Sequence, residues 1–355
     1  MKMGMMHKVF IVLIAVIGVA SAETGGYLFL QEDLGAKSFG MGSAFTSVCD
    51  DLNSVSINPA GLSYFCAPEI SAVYKKDIMD FYSSSVYCAV PLGKLGVAGF
   101  GLLLNDLGSL EINYLDGTSE TVSAMRNWVG SASYGLNVLD VLSLGVNAKV
   151  IRSTFIGRYT AYAYAADLGL LFRTTNSKFS MGLSAQNIGT NITYLTEGES
   201  LPFIIRTGVS YRARETQDDS WLLAVDASYL DGKLRYNAGI ECELLRMIAL
   251  RAGYKIGYDP DSLTLGLGFK LAGIKIDYGY SVLGNLDSMQ TVSMSYGFGP
   301  VSDFDKAKAY YDKGMKEKAL SLFKNVKIRD SNYSEAQQYI SNIETERPRI
   351  IKFAR

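Results

Sequence analysis

The chain has 355 residues, with 34 Lys and Arg against 35 Asp and Glu, and a mean hydropathy of only +0.11. That hydropathy excludes a bundle of transmembrane helices and suits a membrane β-barrel, in which apolar and polar residues alternate and largely cancel. The only histidine, His7, lies in a segment expected to be removed, which excludes Ser-His-Asp and Cys-His catalysis and His-ligated zinc in the remainder.

Residues 1–22 read as an export signal. Met1 to Lys8 is short and basic, Val9 to Ala20 is apolar, and Ala20-Ser-Ala22 supplies the small residues of a cleavage site. The mature chain is expected to start near Glu23 and to carry no transmembrane helix, since no later run reaches ~18 apolar residues. Residues 23–68 then read as a compact plug. Its centre is Gly35-Ala-Lys-Ser-Phe-Gly-Met-Gly-Ser-Ala-Phe45, closed by Asn58-Pro-Ala-Gly-Leu62, which is too irregular for a regular helix or strand. Cys49, Cys66, Cys88 and Cys242 show no metal spacing. Cys49 and Cys66 either pair within the plug or are unpaired small hydrophobes.

From residue 69 to 299 the chain alternates with the period of a strand. Leu263, Leu265, Leu267, Phe269 and Leu271 alternate with Thr264, Gly266, Gly268 and Lys270. Ile274, Ile276, Tyr278, Tyr280 and Val282 alternate with Lys275, Asp277, Gly279 and Ser281. The polar phase is mostly Gly, Ser and Asn with single charges, and Tyr and Trp lie toward segment ends, as a membrane girdle requires. A soluble sandwich would carry long charged side chains throughout that phase. The expectation is about fourteen antiparallel strands, with spans 69–77, 81–90, 95–105, 127–137, 142–154, 159–173, 178–188, 202–212, 220–230, 233–245, 247–257, 262–271, 273–282 and 289–299. Even-numbered connections such as Leu92-Gly-Lys94, Val138–Val141, Thr174–Ser177 and the Ala272 turn are short. Odd-numbered ones include long loops at Asp106–Arg126, Ile188–Leu201 and Leu283–Ser288. Arg214–Asp219, a longer turn on the inner side, is an exception to this parity. The even count lets both termini lie on the periplasmic side. The apparent register change around Gly99 predicts a bulge, either for curvature or as a wall opening. Lumen-facing Arg206, Arg251, Lys255, Lys275, Asp226, Asp277 and Glu241 are expected to form charge pairs.

After Pro300 the period becomes helical. Phe304, Ala307, Tyr310, Tyr311, Gly314, Ala319, Leu320 and Phe323 resemble one tetratricopeptide repeat, with a third helix following. Residues 300–355 are therefore expected to be a periplasmic helical tail. Residues 302–355 hold twelve Lys and Arg against eight Asp and Glu. The tail is expected to dock on the barrel end or on a periplasmic protein partner.

The opening motif, Asp50-Asp51 and Asn58-Pro-Ala-Gly-Leu62 resemble the start of the PorV/PorQ family of outer-membrane proteins, within the FadL-like superfamily. Shorter likenesses continue through Gln186-Asn-Ile-Gly189 and Leu250-Arg-Ala-Gly-Tyr254. The resemblance implies a fourteen-stranded barrel with an N-terminal hatch, in which Asn58, Pro59, Ala60 and Gly61 hold the hatch near Gly99. It also implies one of two functions. The first is FadL-like transport of hydrophobic, fatty-acid-like molecules through the hatch and a lateral wall opening. The second is a PorV-like accessory role in protein export or surface attachment. Transport needs an apolar pocket, for which Phe39, Met41, Phe45, Leu52, Ile57, Leu62 and Phe65 are candidates, although the same residues could simply pack the plug. The expected partners are outer-membrane lipid and a hydrophobic ligand. No enzyme activity, cofactor, metal or nucleic-acid partner is expected. Gly40-Met-Gly42 lacks a strand–helix context for nucleotide, and the exported part has no basic stripe with interleaved aromatics.

Overall fold

The computed structural model describes residues 27–78, 81–174, 177–216, 219–271, 273–282, 288–299, 303–326 and 332–346. The expected export signal, the Ala272 turn and all but the last residue of the Leu283–Ser288 loop lie outside them.

The strands are β1 (Glu69–Lys76), β2 (Tyr82–Pro91), β3 (Val97–Asp106), β4 (Ser109–Asn113), β5 (Ser119–Ser123), β6 (Met125–Leu139), β7 (Leu142–Phe155), β8 (Tyr159–Arg173), β9 (Phe179–Gly189), β10 (Ile192–Thr193), β11 (Gly198–Glu199), β12 (Ile204–Glu215), β13 (Ser220–Leu230), β14 (Lys233–Leu244), β15 (Ile248–Ile256), β16 (Ser262–Leu271), β17 (Ile274–Val282) and β18 (Met289–Gly297). Fourteen of them close into one antiparallel barrel, with β1 pairing both β2 and β18. The other four form two hairpins, β4–β5 and β10–β11, inside the two long outer connections. These hairpins were not expected from the sequence.

Alternation decides which side chains meet lipid. In β13, Trp221, Leu223, Val225, Ala227 and Tyr229 point out, while Ser220, Leu222, Ala224, Asp226 and Ser228 are buried inside. The same phase leaves Leu263, Leu265 and Leu267 of β16 and Val292, Met294 and Tyr296 of β18 exposed on the outer surface. A closed barrel with an apolar exterior leaves no unpaired edge, and this is the outer-membrane β-barrel class. Among the described residues no helix is long and apolar enough to cross a membrane.

The core lies in the lumen. Two short helices, α1 (Ala36–Gly40) and α2 (Ser54–Ile57), and a 3₁₀ turn, Pro59–Tyr64, form a collar that follows the inner wall once around. Asn58 caps that turn by accepting a bond from Ala60 N, and Pro59 takes its first position. Wall side chains bind the collar backbone in order. Thr291 donates to Leu34 O (2.7 Å), Thr264 to Gly40 O (3.3 Å) and Asn237 to Gly42 O (2.5 Å). Asp226 accepts from Phe45 N and Thr46 N, Gln186 donates to Ser56 O and Ile57 O, and Asn147 donates to Val55 O.

The collar can lie flush because the wall beneath it is glycine. Gly135, Gly145 and Gly169 are direct cross-strand neighbours on β6, β7 and β8. A β-carbon on any of them would collide with Asn58–Ser63, at 2.7 Å from Ser63 N in the case of Gly135. Gly239 and Gly253 pair on β14 and β15 against Met41–Gly42, and Gly266 and Gly279 pair on β16 and β17 against Gly40 and Ala36.

Gly99 corrects the expected bulge. Pairing runs unbroken from Pro91↔Val97 to Tyr82↔Asp106 on one side and from Val97↔Gly135 to Asp106↔Arg126 on the other. Leu95 belongs to the preceding turn, and Val97 is an inward apolar residue packed on the collar, so the outward phase of β3 never changes. Register shifts lie elsewhere: between Ala166 and Leu168 of β8 against β9, where Asn187 has φ +60°, and near the short-turn ends of β6 (Asn137/Leu139) and β12 (Arg212/Arg214).

The tail forms α3 (Asp303–Asp312), α4 (Lys316–Phe323) and α5 (Tyr333–Glu346), with a core of Phe304, Ala307, Ala319, Leu320, Phe323, Ala336 and Ile340. Its α3–α4 corner docks under the collar at the end carrying the short turns. Lys313 Nζ donates to Ser63 O (2.9 Å) and to Phe65 O, and Tyr310 donates to Tyr64 O. Met315 is buried against the collar cluster.

Candidate functional site

The residues proposed from the sequence lie in three places. Asn58 is fully buried, and its Nδ2 donates to Thr46 O (2.9 Å) and Leu170 O (3.2 Å). Pro59, Ala60 and Gly61 follow it, and Pro59 and Ala60 press on Gly145 and Gly169, so this segment seats on β6–β8. Only Leu62 reaches Gly99, where a β-carbon would stand 3.0 Å from Leu62 Cδ1.

The seven apolar candidates do not line one cavity. Met41, Phe45 and Ile57 pack with Leu171, Leu222 and Ala224. Leu52, Leu62 and Phe65 pack with Tyr87, Ala89 and Val97. Phe39 lies beneath two lysines, with Lys255 Nζ 4.7 Å and Lys75 Nζ 5.6 Å from its ring centroid. None is more than 8% exposed, and Ile57 borders a cavity of about 40 Å³. Burial on the inner wall, rather than a shared void, is what these apolar positions supply.

The apolar site that sequence reasoning missed is higher in the barrel. Tyr27 and Phe29, ring centroids 6.3 Å apart and edge-to-face, are buried in the outer half of the lumen. Their wall is Val129 of β6, Ile151 of β7 and Ala161, Ala163 and Ala165 of β8, with Leu103 of β3 beside them. Ile192 of the β10–β11 hairpin and Leu201 cover them from outside. Burial first and the neighbouring Tyr194 second push the Tyr27 phenol up from its ordinary range. In this sector Val129, Ile151 and the three alanines face inward among Asn127, Ser131, Lys149 and Ser153. The three inward alanines of β8, alternating with outward Tyr162 and Tyr164, were the available signal.

Beside this chamber the β8–β9 bulge turns polar groups inward. Asn187 N donates to Asp167, Lys149 bonds Asn187 and pairs with Asp167 at 2.7 Å, and Asn187 Nδ2 donates to Pro202 O. Arg206 bonds Gln186 and Gln31 O, tying the bulge to the N-terminal segment.

At the short-turn end a polar cavity of about 170 Å³ opens between the collar and β12–β18. The expected charge pairs are largely here. Arg251 binds Glu241 and Asp277 at 2.6 Å each, Lys275 pairs with Glu69, and Lys37 pairs with Asp50 (2.9 Å) and Glu241 (3.1 Å). Arg206, Asp226 and Lys255 instead bind Gln186, collar amides and the Phe39 ring. Burial opposes ionisation of Asp50, but Lys37 overrides it and holds its carboxyl down at about 2. At Asp51, burial first and Asp50 second outweigh Lys37 and push it up to about 7. All four cysteines are free, and Cys49 is fully buried in the collar. Among the described residues no His, Cys, Asp or Glu group could hold a metal ion.

The geometry thus defines a plugged fourteen-strand outer-membrane barrel. No family profile and no curated protein matches the sequence. Solved structures do match the fold. The Pseudomonas putida toluene transporter TodX is 12% identical, with 75% of this chain covering 98% of that chain at a TM-score of 0.56. The Ralstonia pickettii toluene transporter TbuX is 13% identical, with 76% covering 100% at 0.54. The monoaromatic hydrocarbon channel CymD is 11% identical, with 75% covering 98% at 0.53. The likeness is one of fold.

Proposed function

We propose that this barrel passes hydrophobic small molecules across the outer membrane, and that Tyr27 and Phe29 occupy the place of the solute. The observation that carries this reading is the apolar outer chamber, filled by side chains of the chain's own N-terminal segment. The roles of TodX, TbuX and CymD support the same chemical class. Two aromatic rings as filling support a compact apolar solute over a long acyl chain. The solute would enter past the outer hairpins and displace the two rings. It would leave sideways, because the collar and the ion pairs beneath it make the axial route narrow and polar. The interrupted β8–β9 ladder favours an exit there over Gly99, with Asn58–Gly61 as the hatch edge that faces it. The tail, on the periplasmic side in this orientation, would brace the hatch from below.

Uptake of radiolabelled toluene by vesicles holding the protein tests this. Uptake should exceed that of empty vesicles and fall in Ala163→Trp, which fills the chamber. Equal uptake by protein-bearing and empty vesicles would contradict it.

A second reading, a PorV-like accessory protein, is favoured by the β4–β5 hairpin, where Leu110, Tyr114 and the fully exposed Leu115 project beyond the barrel. Exported proteins would bind that hairpin, and a periplasmic partner would use the charged outer face of residues 302–355. Crosslinking from Leu115→Cys and from the tail should then capture specific proteins, lost from the tail site on truncation after Gly299.

A further inference from the structure

The outward face of the wall carries few charges, and most of them fall in one sector. Lys76, Asp106, Arg126 and Arg152 stand in the outward phase near the long-loop end of β1, β3, β6 and β7, while Arg214, opposite outward Trp221, stands at the short-turn end of β12. Asp106 is neutralised by Arg126 at 2.7 Å. Arg152 is exposed and has no carboxylate or hydrogen-bond partner among the described residues. Its direct cross-strand neighbours are Trp128 and Tyr162, both exposed to the outside. Arg126 is its diagonal neighbour, about 7–8 Å away by sheet geometry.

An unpaired guanidinium facing outward is costly in hydrocarbon and is tolerated at the level of the headgroups, where aromatic rings mark the interface. A guanidinium is also the side chain suited to bidentate binding of phosphate. Toward the membrane centre the row beneath Arg152 is Leu102, Gly130, Val150 and Tyr164, with Gly130 as its gap. Gly130 stands beside Val150, and Ala132, Ala148 and Ala166 form the next cross-strand row, bounded by Phe100. A β-carbon at Gly130 would meet nothing within 4 Å.

We propose that Arg152, with Arg126 above it and Trp128 and Tyr162 beside it, binds the phosphate of an outer-leaflet glycolipid of the lipid A type. One acyl chain lies over Gly130 and the alanine row. The charge complementarity and the apolar gap below it belong to one molecule, with an anionic head and a saturated tail. This site is on the lipid-facing surface and does not depend on whether the lumen transports a solute.

Native mass spectrometry of the full-length protein in detergent, with added lipid, tests the proposal. The probes are diphosphorylated lipid A, the same lipid without its phosphates, and phosphatidylglycerol. The diphosphorylated lipid should be retained, and retention should fall about tenfold in Arg152→Gln, as expected for one lost charge-assisted hydrogen bond. Gly130→Leu should weaken retention while leaving Arg152 in place. Heat-modifiable migration on a gel verifies that each variant is folded. Equal retention by Arg152→Gln, equal retention of the dephosphorylated lipid, or equal retention of phosphatidylglycerol would each overturn it.

Discussion

The two halves of the lumen are filled in different ways. Below, backbone meets backbone, and the collar lies on a glycine belt and is bonded to the wall strand by strand. Above, side chains meet side chains, and two aromatic rings rest on a smooth wall of Val, Ile and Ala. A flush backbone contact tolerates no added atom and cannot be exchanged for a ligand. An aromatic ring in an apolar chamber can be replaced by another molecule of the same shape. The difference separates a seal from a site.

The largest effect is expected where the seal is broken by one side chain. With Cys66, Cys88 and Cys242 replaced by Ser, buried Cys49 becomes a reporter of the collar. Gly145→Leu places its β-carbon in the Ala60 backbone, and overpacking of this kind costs about 1–3 kcal/mol. Maleimide labelling of Cys49 should accelerate roughly 10–100-fold in response. Ala163→Leu, in the chamber above, should leave that rate within about twofold. Similar acceleration by both variants would erase the distinction.

Truncation after Gly299 should have a smaller and more local effect. Lys313 and Tyr310 cover the underside of Ser63–Phe65, and Met315 packs on the collar cluster beside them. Labelling of Cys66, read with the other three cysteines replaced by Ser, should rise several-fold, while Cys49 in its own reporter stays protected. Exposure of Cys49 on truncation would mean that the tail, and not the glycine belt, holds the collar.

The smallest effect is a pH dependence from the collar's paired aspartates. Asp51, at about 7, lies above the free carboxyl value of about 3.9. The folded state therefore retains a proton that the unfolded state loses. Its contribution is complete below about pH 4 and is lost as pH rises through 7. Asp50, at about 2, acts in the opposite sense, since its contribution is present above about pH 4 and lost as pH falls toward 2. Cys49 labelling, corrected for thiolate fraction, should thus rise modestly between pH 5 and 8, and Asp51→Asn should abolish the rise.

The barrel was legible because a strand facing lipid on one side must alternate. β8, β13 and β16 have the boundaries that alternation alone suggested. The tail was legible from its change of period at Phe304. What alternation cannot convey is height. The inward glycines of β6–β8 and β14–β17 form a belt only once strand stagger is known, so Gly99 looked like a kink when it is one more inward glycine beneath Leu62. The irregularity at Asn187 was marked by two consecutive polar residues, Gln186 and Asn187, before outward Ile188. The chamber was hidden because Tyr27 and Phe29 precede the opening motif, which drew attention to residues 35–62.

Equilibrium binding of toluene to the purified protein tests the central claim most directly. Wild-type protein should bind weakly, since the solute must first displace Tyr27 and Phe29. Tyr27→Ala/Phe29→Ala should bind at least about tenfold more tightly, as removal of a competing occupant worth about 1.5–3 kcal/mol per ring implies. Equal affinity in the two proteins, or no binding by either, would contradict a chamber whose own side chains stand in for the solute.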